Sequence, residues 1–284
     1  MRSSTGFHLI FLSDLPGLPV KIFLLFFVPL VLFVANSSLT LCLCGEPFNL
    51  TLKTRVRAID LLTRPYMDKQ IENVKALTFD LFGTVLDLGG SLTPFIDEFL
   101  KEKGSSADAG KFWQQWRYRQ RIEQYQDSLV MLGHSGYLET ARRAFVYVLG
   151  LNSVEASKEE VDNFMEAWME LSPFPDVLPA LQRLSSRYKL VALSNGNAWF
   201  LDHLVANRIN YDFDAVISVD AFGAFKPHPS VYRGAARILE LGLEEIMMVS
   251  TNSFDVMGAR MCGNRGAIAN HCPSKTLPIK RMSQ

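Results

Sequence analysis

The sequence lacks an excess of charge of either sign and has little cysteine. Its 284 residues include 29 lysines and arginines against 29 aspartates and glutamates. A general nucleic-acid binder needs a basic excess to neutralise phosphates, so we expect no nucleic-acid partner. Four cysteines are too few for a disulfide scaffold, and they lack the CxxC spacing of a zinc site. They lie near the two ends of the chain, at Cys42, Cys44, Cys262 and Cys272.

The composition excludes two further classes of protein. Hydrophobic residues make up 48% of the chain and charged residues 20%. Disordered proteins contain fewer hydrophobic residues than this, and collagen-like chains have a different composition, so both classes are excluded. The length is enough for one large domain or two modest ones with a sizeable core. The remaining class is a globular chain, expected to be an enzyme, with an unusual beginning.

The beginning of the chain is unusually apolar. Residues 22–45 contain no charged side chain, and residues 1–45 are interpreted as a hydrophobic signal or anchor. A secretory signal needs a basic start and a short apolar run, whereas a membrane span needs about 20 apolar residues. Residues 22–43 are long enough for membrane anchoring, and residues 46–73 are interpreted as a linker. Export or anchoring follows if this segment is genuine, and a cytoplasmic location follows if translation starts near Met67.

From Val74 onward, short apolar runs alternate with helical patterns. Such runs are typical of parallel strands that are covered on both faces, so the pattern predicts an α/β fold. Five strands are predicted at residues 74–79, 189–193, 215–219, 246–249 and 266–270. Four helices are predicted between them at residues 176–187, 198–207, 230–240 and 253–262.

A long helical stretch separates the first two predicted strands. Apolar residues recur there at spacings of three and four, and Ser157 with Glu160 forms a capping box. Residues 91–172 are therefore predicted to form an all-helical cap over a core made of residues 74–90 and 173–284. The four cap helices are predicted at residues 92–100, 112–129, 137–149 and 161–171. Ligands in open α/β sheets bind beyond the carboxyl ends of the strands, where the cap can exclude water.

Four predicted strands end in polar residues. Because the carboxyl ends of parallel strands lie at one edge of the sheet, we expect these side chains to meet there. An isolated DxxGT motif is a weak signal, but four such elements in this order are a strong one. The residues are Asp80 and Thr84, then Ser194 and Asn195, then Lys226 and Tyr232, and finally Ser250, Asn252 and Asp255.

These motifs resemble the haloacid dehalogenase superfamily, and in detail its 2-haloacid dehalogenase (type II) branch. The resemblance covers about residues 74–271, cap included, and implies a Rossmann-like core. It implies that Asp80 is a nucleophile that forms a covalent ester. Thr84 and Ser194 are then expected to orient the nucleophile and the substrate, while Lys226 offsets carboxylate charge.

Two positions separate this sequence from the phosphatases of the superfamily. Those enzymes carry a second aspartate two residues after the nucleophile, which protonates a poor leaving group. Phe82 stands there, and a halide is so weak a base that it needs no proton. Phosphatases also hold Mg²⁺ through an acidic residue in the fourth motif, where this chain has Thr251. We therefore expect no metal and no cofactor.

The implied reaction has two steps and a short 2-halocarboxylate substrate. Asp80 attacks C2 opposite the halogen, and water then hydrolyses the ester to an inverted 2-hydroxy acid. The family pattern implies that Ser250, Asn252 and Asp255 serve this water. It also implies that Tyr232 helps to hold the site.

The resemblance also implies how the substrate is bound. Ser194 is expected to bind the substrate carboxylate, and Asn195 with Arg117 to cradle the halide. Arg117 lies in a Trp-Arg-x-Arg-Gln segment that resembles a family signature, but the match ends after Gln120. Arg119 or Arg121 can therefore take the place of Arg117 as the halide-binding arginine. Phe82 is expected to line the pocket, and the family habit suggests a homodimer.

Two other functions remain open on the sequence. The first is a phosphatase or other hydrolase of the same superfamily that acts on a non-halogenated substrate. Phe82 and Thr251 weigh against it. The second is a non-enzymatic, membrane-tethered binding module that retains the fold, whereas the intact set of Asp80, Lys226 and Asp255 favours catalysis.

Overall fold

The computed structural model describes residues 41–43, 46–48, 71–130 and 134–271 of the chain. Strands β1 (Leu41–Leu43) and β2 (Glu46–Phe48) pair antiparallel within one unit, Met1–Ala58, across the predicted division between residues 45 and 46. The rest of the predicted signal or anchor, and the linker from residue 49 to residue 70, lie outside the described residues. No helix in the described ranges is both long and apolar enough to cross a membrane.

A five-stranded parallel sheet forms the centre of the second unit, Ile59–Gln284. Its strand order is β7-β6-β3-β8-β9, and the strands are β3 (Ala76–Phe79), β6 (Lys189–Ser194), β7 (Ala215–Ser218), β8 (Ile246–Ser250) and β9 (Arg265–Ile268). Every residue of β3 is buried, as expected for a strand with helices on both faces. All five predicted strands are present. The first begins two residues later than predicted and the fifth begins and ends earlier.

Helices connect these strands and complete the Rossmann-like α/β core. The β4 strand (Leu86–Asp87) and the four cap helices come between β3 and β6. The cap helices are α1 (Leu88–Glu102), α2 (Ala109–Val130), α3 (Tyr137–Leu151) and α4 (Lys158–Met165). After strand β5 (Ser172–Pro173), the core helices are α5 (Val177–Leu184), α6 (Ala198–Leu204), α7 (Pro229–Leu239) and α8 (Ser253–Cys262). The α/β fold with an all-helical cap is therefore confirmed.

The bounds of all four cap helices differ from the prediction, and the differences are largest at α1 and α4. Helix α1 begins at Leu88, directly after Asp87, whose Oδ1 accepts a hydrogen bond from Gly90 N at 2.8 Å. The last predicted helix, 161–171, is wrong in its bounds: α4 begins after Ser157 and changes at Glu166 to a 3₁₀ turn, Glu166–Glu170. The capping box is confirmed, because Ser157 and Glu160 satisfy each other's backbone N–H groups.

The base of the cap is closed by a short pair of strands. β4 and β5 pair antiparallel, with Leu86 opposite Pro173. The chain therefore enters and leaves the cap at one place. A continuous cluster of buried apolar side chains runs from Leu77 of the sheet to Trp116 and Trp168 of the cap. Cap and core consequently share one hydrophobic core above the carboxyl edge of the sheet.

Candidate active site

Asp80 follows strand β3 and lies at the centre of a buried polar network. Its Oδ2 accepts hydrogen bonds from Thr84 Oγ1 at 3.0 Å, Asn252 Nδ2 at 2.8 Å and Ser250 Oγ at 3.4 Å. Its Oδ1 accepts one from Lys226 Nζ at 3.0 Å. The carboxylate is thus held in one orientation by donors that lie at or after the carboxyl ends of three strands, β3, β7 and β8.

Lys226 joins two carboxylates in the interior. Its Nζ lies 3.0 Å from Asp80 Oδ1 and 2.8 Å from Asp255 Oδ2, and it donates to the Leu193 carbonyl at 2.8 Å. The lysine side chain is 1% exposed. Burial alone lowers the pKa of Lys226, but the charges of Asp255 and Asp80 outweigh it and raise that pKa above its ordinary value. A permanent cation therefore lies beside Asp80.

Asp255 is held by a second donor. Tyr232 Oη donates to Asp255 Oδ1 at 2.8 Å. Burial, followed by the charge of Asp255, raises the pKa of Tyr232, which keeps its hydroxyl protonated. Burial also raises the pKa of Asp255, although Lys226 opposes this change. Asp255 is consequently a stronger base than an exposed aspartate.

The end of β6 and the loop that follows it place Ser194 and Asn195 beside the same network. Asn195 Oδ1 accepts from the backbone N–H of Lys226 at 2.9 Å, and its Nδ2 donates to Gln124 Oε1 of helix α2 at 3.3 Å. Asn195 therefore links the core to the cap. Ser194 Oγ is buried and has no hydrogen-bond partner among the described residues. An unmet buried hydroxyl is costly, so it is available to a ligand.

Phe82 forms an aromatic wall where the cap meets the core. Its ring stacks on Tyr137 with centroids 4.0 Å apart and meets the edge of Trp168 at 6.4 Å. Phe200 of the core lies on another side at 5.8 Å. The side chain of Phe82 is fully buried. Its surroundings are aromatic and buried, so a carboxylate there would lose its contact with water.

Thr251 contributes a hydroxyl at the fourth motif. Its Oγ1 donates to the Gly83 carbonyl at 2.8 Å, while its backbone N–H donates to Thr84 Oγ1 at 2.9 Å. Gly83 has a φ of 90°, a conformation that other residues rarely adopt. Thr251 therefore fixes the loop that carries Thr84. Within the described residues, no group of three or more acidic, histidine or cysteine side chains is arranged to bind a metal ion.

The three arginines of helix α2 lie in different surroundings. Arg117 donates to Gln120 Oε1 at 2.8 Å and to Tyr137 Oη at 3.2 Å. Arg121 Nη2 donates to Asn252 Oδ1 at 2.6 Å, which brings it directly against the network around Asp80. The predicted halide contact of Arg117 stays a prediction.

Arg119 turns away from the site. It pairs with Glu123 and lies over the Tyr147 ring at 4.2 Å.

Sequence reasoning did not assign a role to Gln124 or Tyr137, and it named Arg121 only as a substitute. Arg117, Arg121 and Gln124 are spaced by four and three residues along α2, so they share a helix face. That spacing is visible in the sequence and indicates a common surface. It does not reveal that this surface faces Asn195 and Asn252.

Comparison with known proteins agrees with this geometry. The family model described as haloacid dehalogenase-like hydrolase matches residues 74–263. The chain belongs to this family. The match includes every site residue from Asp80 to Asp255, and the superfamily resemblance seen in the motifs is confirmed.

Relatives within the haloacid dehalogenase-like hydrolases carry more specific names. An (S)-2-haloacid dehalogenase of Xanthobacter autotrophicus is 34% identical over 191 residues, which cover 67% of this chain and 72% of the relative. The (S)-2-haloacid dehalogenase 4A of Burkholderia cepacia is 31% identical, over 68% of this chain and 81% of the relative.

A solved structure of the Xanthobacter autotrophicus L-2-haloacid dehalogenase has chloropropionic acid covalently bound. It is 32% identical and superimposes with a TM-score of 0.62, covering 71% of this chain and 79% of that one.

Proposed function

We propose that this family member is a hydrolytic dehalogenase that converts short 2-haloalkanoic acids to 2-hydroxy acids with inversion, through an ester on Asp80. The observation that carries the proposal is the arrangement of Asp80. Its carboxylate is buried, held by four donors and paired with Lys226, while the apolar ring of Phe82 lies where a phosphatase has its acid. The named relatives, and the covalent complex of one of them, support the same reaction.

In the first step an oxygen of Asp80 attacks C2 of the substrate from the side opposite the halogen. A C–O bond forms, the carbon–halogen bond breaks, and the halide leaves with the bonding electron pair. The hydrogen bonds from Thr84 and Asn252 hold the carboxylate in an attacking orientation. Ser194 donates its unmet hydroxyl to the substrate carboxylate, and Asn195 with a cap arginine binds the halide.

In the second step water attacks Cγ of the ester. The water gives one proton to Asp255, whose pKa is raised by burial and which suits this exchange better than an ordinary aspartate. Lys226 stabilises the negative charge that develops on the carbonyl oxygen. The ester bond between Cγ and oxygen breaks, and the leaving alkoxide takes up the proton that Asp255 received. Asp80 loses the remaining proton of the water to solvent and is a carboxylate again. The C2–O bond stays intact, so the configuration set in the first step is retained and the product is the inverted 2-hydroxy acid.

Incubation of the purified protein with racemic 2-chloropropionate in the presence of EDTA tests the proposal. We expect chloride release with consumption of one enantiomer. In a single turnover in H₂¹⁸O, the label should enter the peptide that carries Asp80, because water attacks Cγ rather than C2. Absence of chloride release across a panel of haloacids, together with Mg²⁺-dependent hydrolysis of p-nitrophenyl phosphate, would favour the phosphatase alternative.

Substitution Asp80→Asn removes the nucleophile and should lower the rate of chloride release by at least about 1,000-fold. Asp97→Asn is the matched control, since Asp97 lies on the exposed face of α1 and pairs with Lys101. It should leave the rate unchanged. Equal activity of the two variants would contradict the covalent mechanism.

Two further parts of the proposal concern assembly and location. The family habit favours a homodimer, which sedimentation of the purified protein can test. The uncharged residues 22–43 favour export or membrane anchoring. Mass spectrometry of the mature N-terminus separates a cleaved signal, a retained anchor and a start near Met67.

A further inference from the structure

Arg121 joins the cap to the core beside the nucleophile, and the reaction above gives it no defined task. It lies on helix α2 and donates from Nη2 to Asn252 Oδ1 at 2.6 Å. Its guanidinium lies 5.5 Å from the centre of the Phe254 ring, two residues beyond Asn252. Burial and the charge of Arg117 lower the pKa of Arg121, but a guanidinium still carries its charge at neutral pH. A cation therefore contacts the loop that serves the hydrolytic water.

The contact shows which way the Asn252 amide points. A guanidinium has donors and no acceptor, so the atom that it contacts must be the amide oxygen. Asn252 Nδ2 then faces Asp80 Oδ2, to which it donates at 2.8 Å. Since the backbone N–H of Asn252 also donates to Ser250 Oγ at 3.1 Å, the whole residue is held from three sides.

The Asn252 side-chain amide is held by hydrogen bonds with Asp80 and Arg121, and only the one with Asp80 changes between the two steps of the reaction. In the free enzyme the negative charge of Asp80 by itself keeps Nδ2 turned towards it. Formation of the ester removes that charge, and a neutral ester is a much weaker acceptor than a carboxylate. Arg121 is unaffected by ester formation. In the intermediate it therefore becomes the charged group that holds the amide of Asn252.

We propose that Arg121 is a positioning residue for ester hydrolysis, acting from the cap through Asn252. This inference rests on the proposed function, because it assigns Arg121 to the second step of that reaction. It also means that the second step requires a cap residue to be in place over the core. Arg121 thus differs from a halide ligand, whose loss impairs the first step.

Arg121→Met removes the donors and keeps an unbranched apolar stem. We expect ester formation at the normal rate and ester hydrolysis slowed by about 10- to 100-fold, the value of one hydrogen bond to a charged group. Rapid-quench mass spectrometry of the peptide with Asp80 should then show ester accumulating. Arg121→Lys keeps one cationic donor and should restore part of the hydrolysis rate.

Arg119→Met is the matched control, two residues away on the same helix. Its guanidinium pairs with Glu123 and lies over Tyr147, away from the network. This variant should form and hydrolyse the ester as the wild type does. Slower ester formation in Arg121→Met, with an altered ratio of bromide to chloride release and normal hydrolysis, would overturn the proposal in favour of halide binding. Unchanged kinetics in both steps would overturn it as well.

A crystal structure of Arg121→Met decides the question independently of turnover. We expect the Asn252 amide to move or rotate so that Nδ2 no longer lies within hydrogen-bond distance of its place beside Asp80 after esterification with 2-chloropropionate. An unchanged amide in that ester would overturn the proposal. If the wild type forms no ester with any haloacid, the proposed function fails. The role of Arg121 in ester hydrolysis then fails with it, whereas an ester that forms in both proteins with an unmoved Asn252 amide overturns the role of Arg121 alone.

Discussion

Lys226 shows how strongly one buried side chain can depend on its partners. Its ammonium lies within 3.0 Å of Asp80 and 2.8 Å of Asp255, all three being almost completely buried. Breaking a buried ion pair by removing one partner leaves uncompensated charge and is more costly than losing a surface pair. In the proposed reaction, the same cation also stabilises the negative charge that develops during ester hydrolysis.

Lys226→Met should therefore abolish chloride release and lower the free energy of unfolding by about 3–5 kcal/mol near neutral pH. Lys226 lowers the pKa of Asp255 against the effect of burial, so its removal lets that pKa rise further. A raised folded-state pKa means that the folded variant binds the proton more tightly than the unfolded chain. The loss of unfolding free energy in Lys226→Met, relative to the wild type, should consequently become smaller as pH falls from about 8 to about 5.5.

Urea unfolding of both proteins at these two pH values measures the effect. Lys101→Met is the control, because Lys101 is exposed on α1 and pairs with Asp97. It should change the free energy of unfolding by no more than about 0.5 kcal/mol. If the loss of unfolding free energy in Lys226→Met becomes larger at the lower pH, an uncompensated buried carboxylate is not the cause of the destabilisation.

At the scale of elements, the capping box of α4 gives a prediction that is separate from catalysis. Ser157 Oγ accepts from Glu160 N at 3.2 Å, and Glu160 Oε2 accepts from Ser157 N at 2.8 Å. Ser157→Ala should lower the free energy of unfolding by about 1 kcal/mol. Chloride release should be unchanged, because α4 has no contact with the network around Asp80 in the residues described.

Thermal or urea unfolding measures this change, with Ser186→Ala as the control. Ser186 lies beyond the end of α5 and donates to the Arg183 carbonyl at 2.9 Å, so it caps no helix N-terminus. An equal loss of unfolding free energy in both variants would show that the capping box does not stabilise the protein more than the hydrogen bond of Ser186 does.

The elements were predictable to the extent that their signals are local. The five strands and the capping box follow from apolar runs and a three-residue spacing. The end of α4 was not predictable, because Trp168 and Leu171 continue the apolar pattern through the change from α-helix to 3₁₀ turn at Glu166. Helical periodicity records which side chains are buried and not which hydrogen-bond spacing holds them.

The site was predictable where its residues follow strands and less so where they lie on the cap. Asp80, Lys226 and Asp255 lie on segments that follow strands, and the parallel topology brings those segments to one edge of the sheet. Arg121 and Gln124 depend on how α2 lies over the sheet, which is set by packing of side chains distant in sequence. Sequence spacing groups them on one helix face but gives no partner in the core.

At the scale of the whole molecule, the chemistry is concentrated in one part of the chain. The family match covers residues 74–263, and the described sheet and cap belong to the unit Ile59–Gln284. Among the described residues, the hydrogen bonds to the Asp80 carboxylate come from Thr84, Lys226, Ser250 and Asn252. The residues assigned to the proposed reaction therefore all lie within the family match, residues 74–263.

A fragment that starts at Met67 should fold and release chloride from 2-chloropropionate with a kcat/KM within about a factor of two of the full chain. The expectation follows because the sheet, the cap and their common hydrophobic core are retained intact. Circular dichroism and initial rates on both proteins measure it, and Asp80→Asn in the fragment gives the background. A fragment with native circular dichroism but a much lower kcat would show that the first 66 residues supply something to the site, either directly or through assembly of the chain.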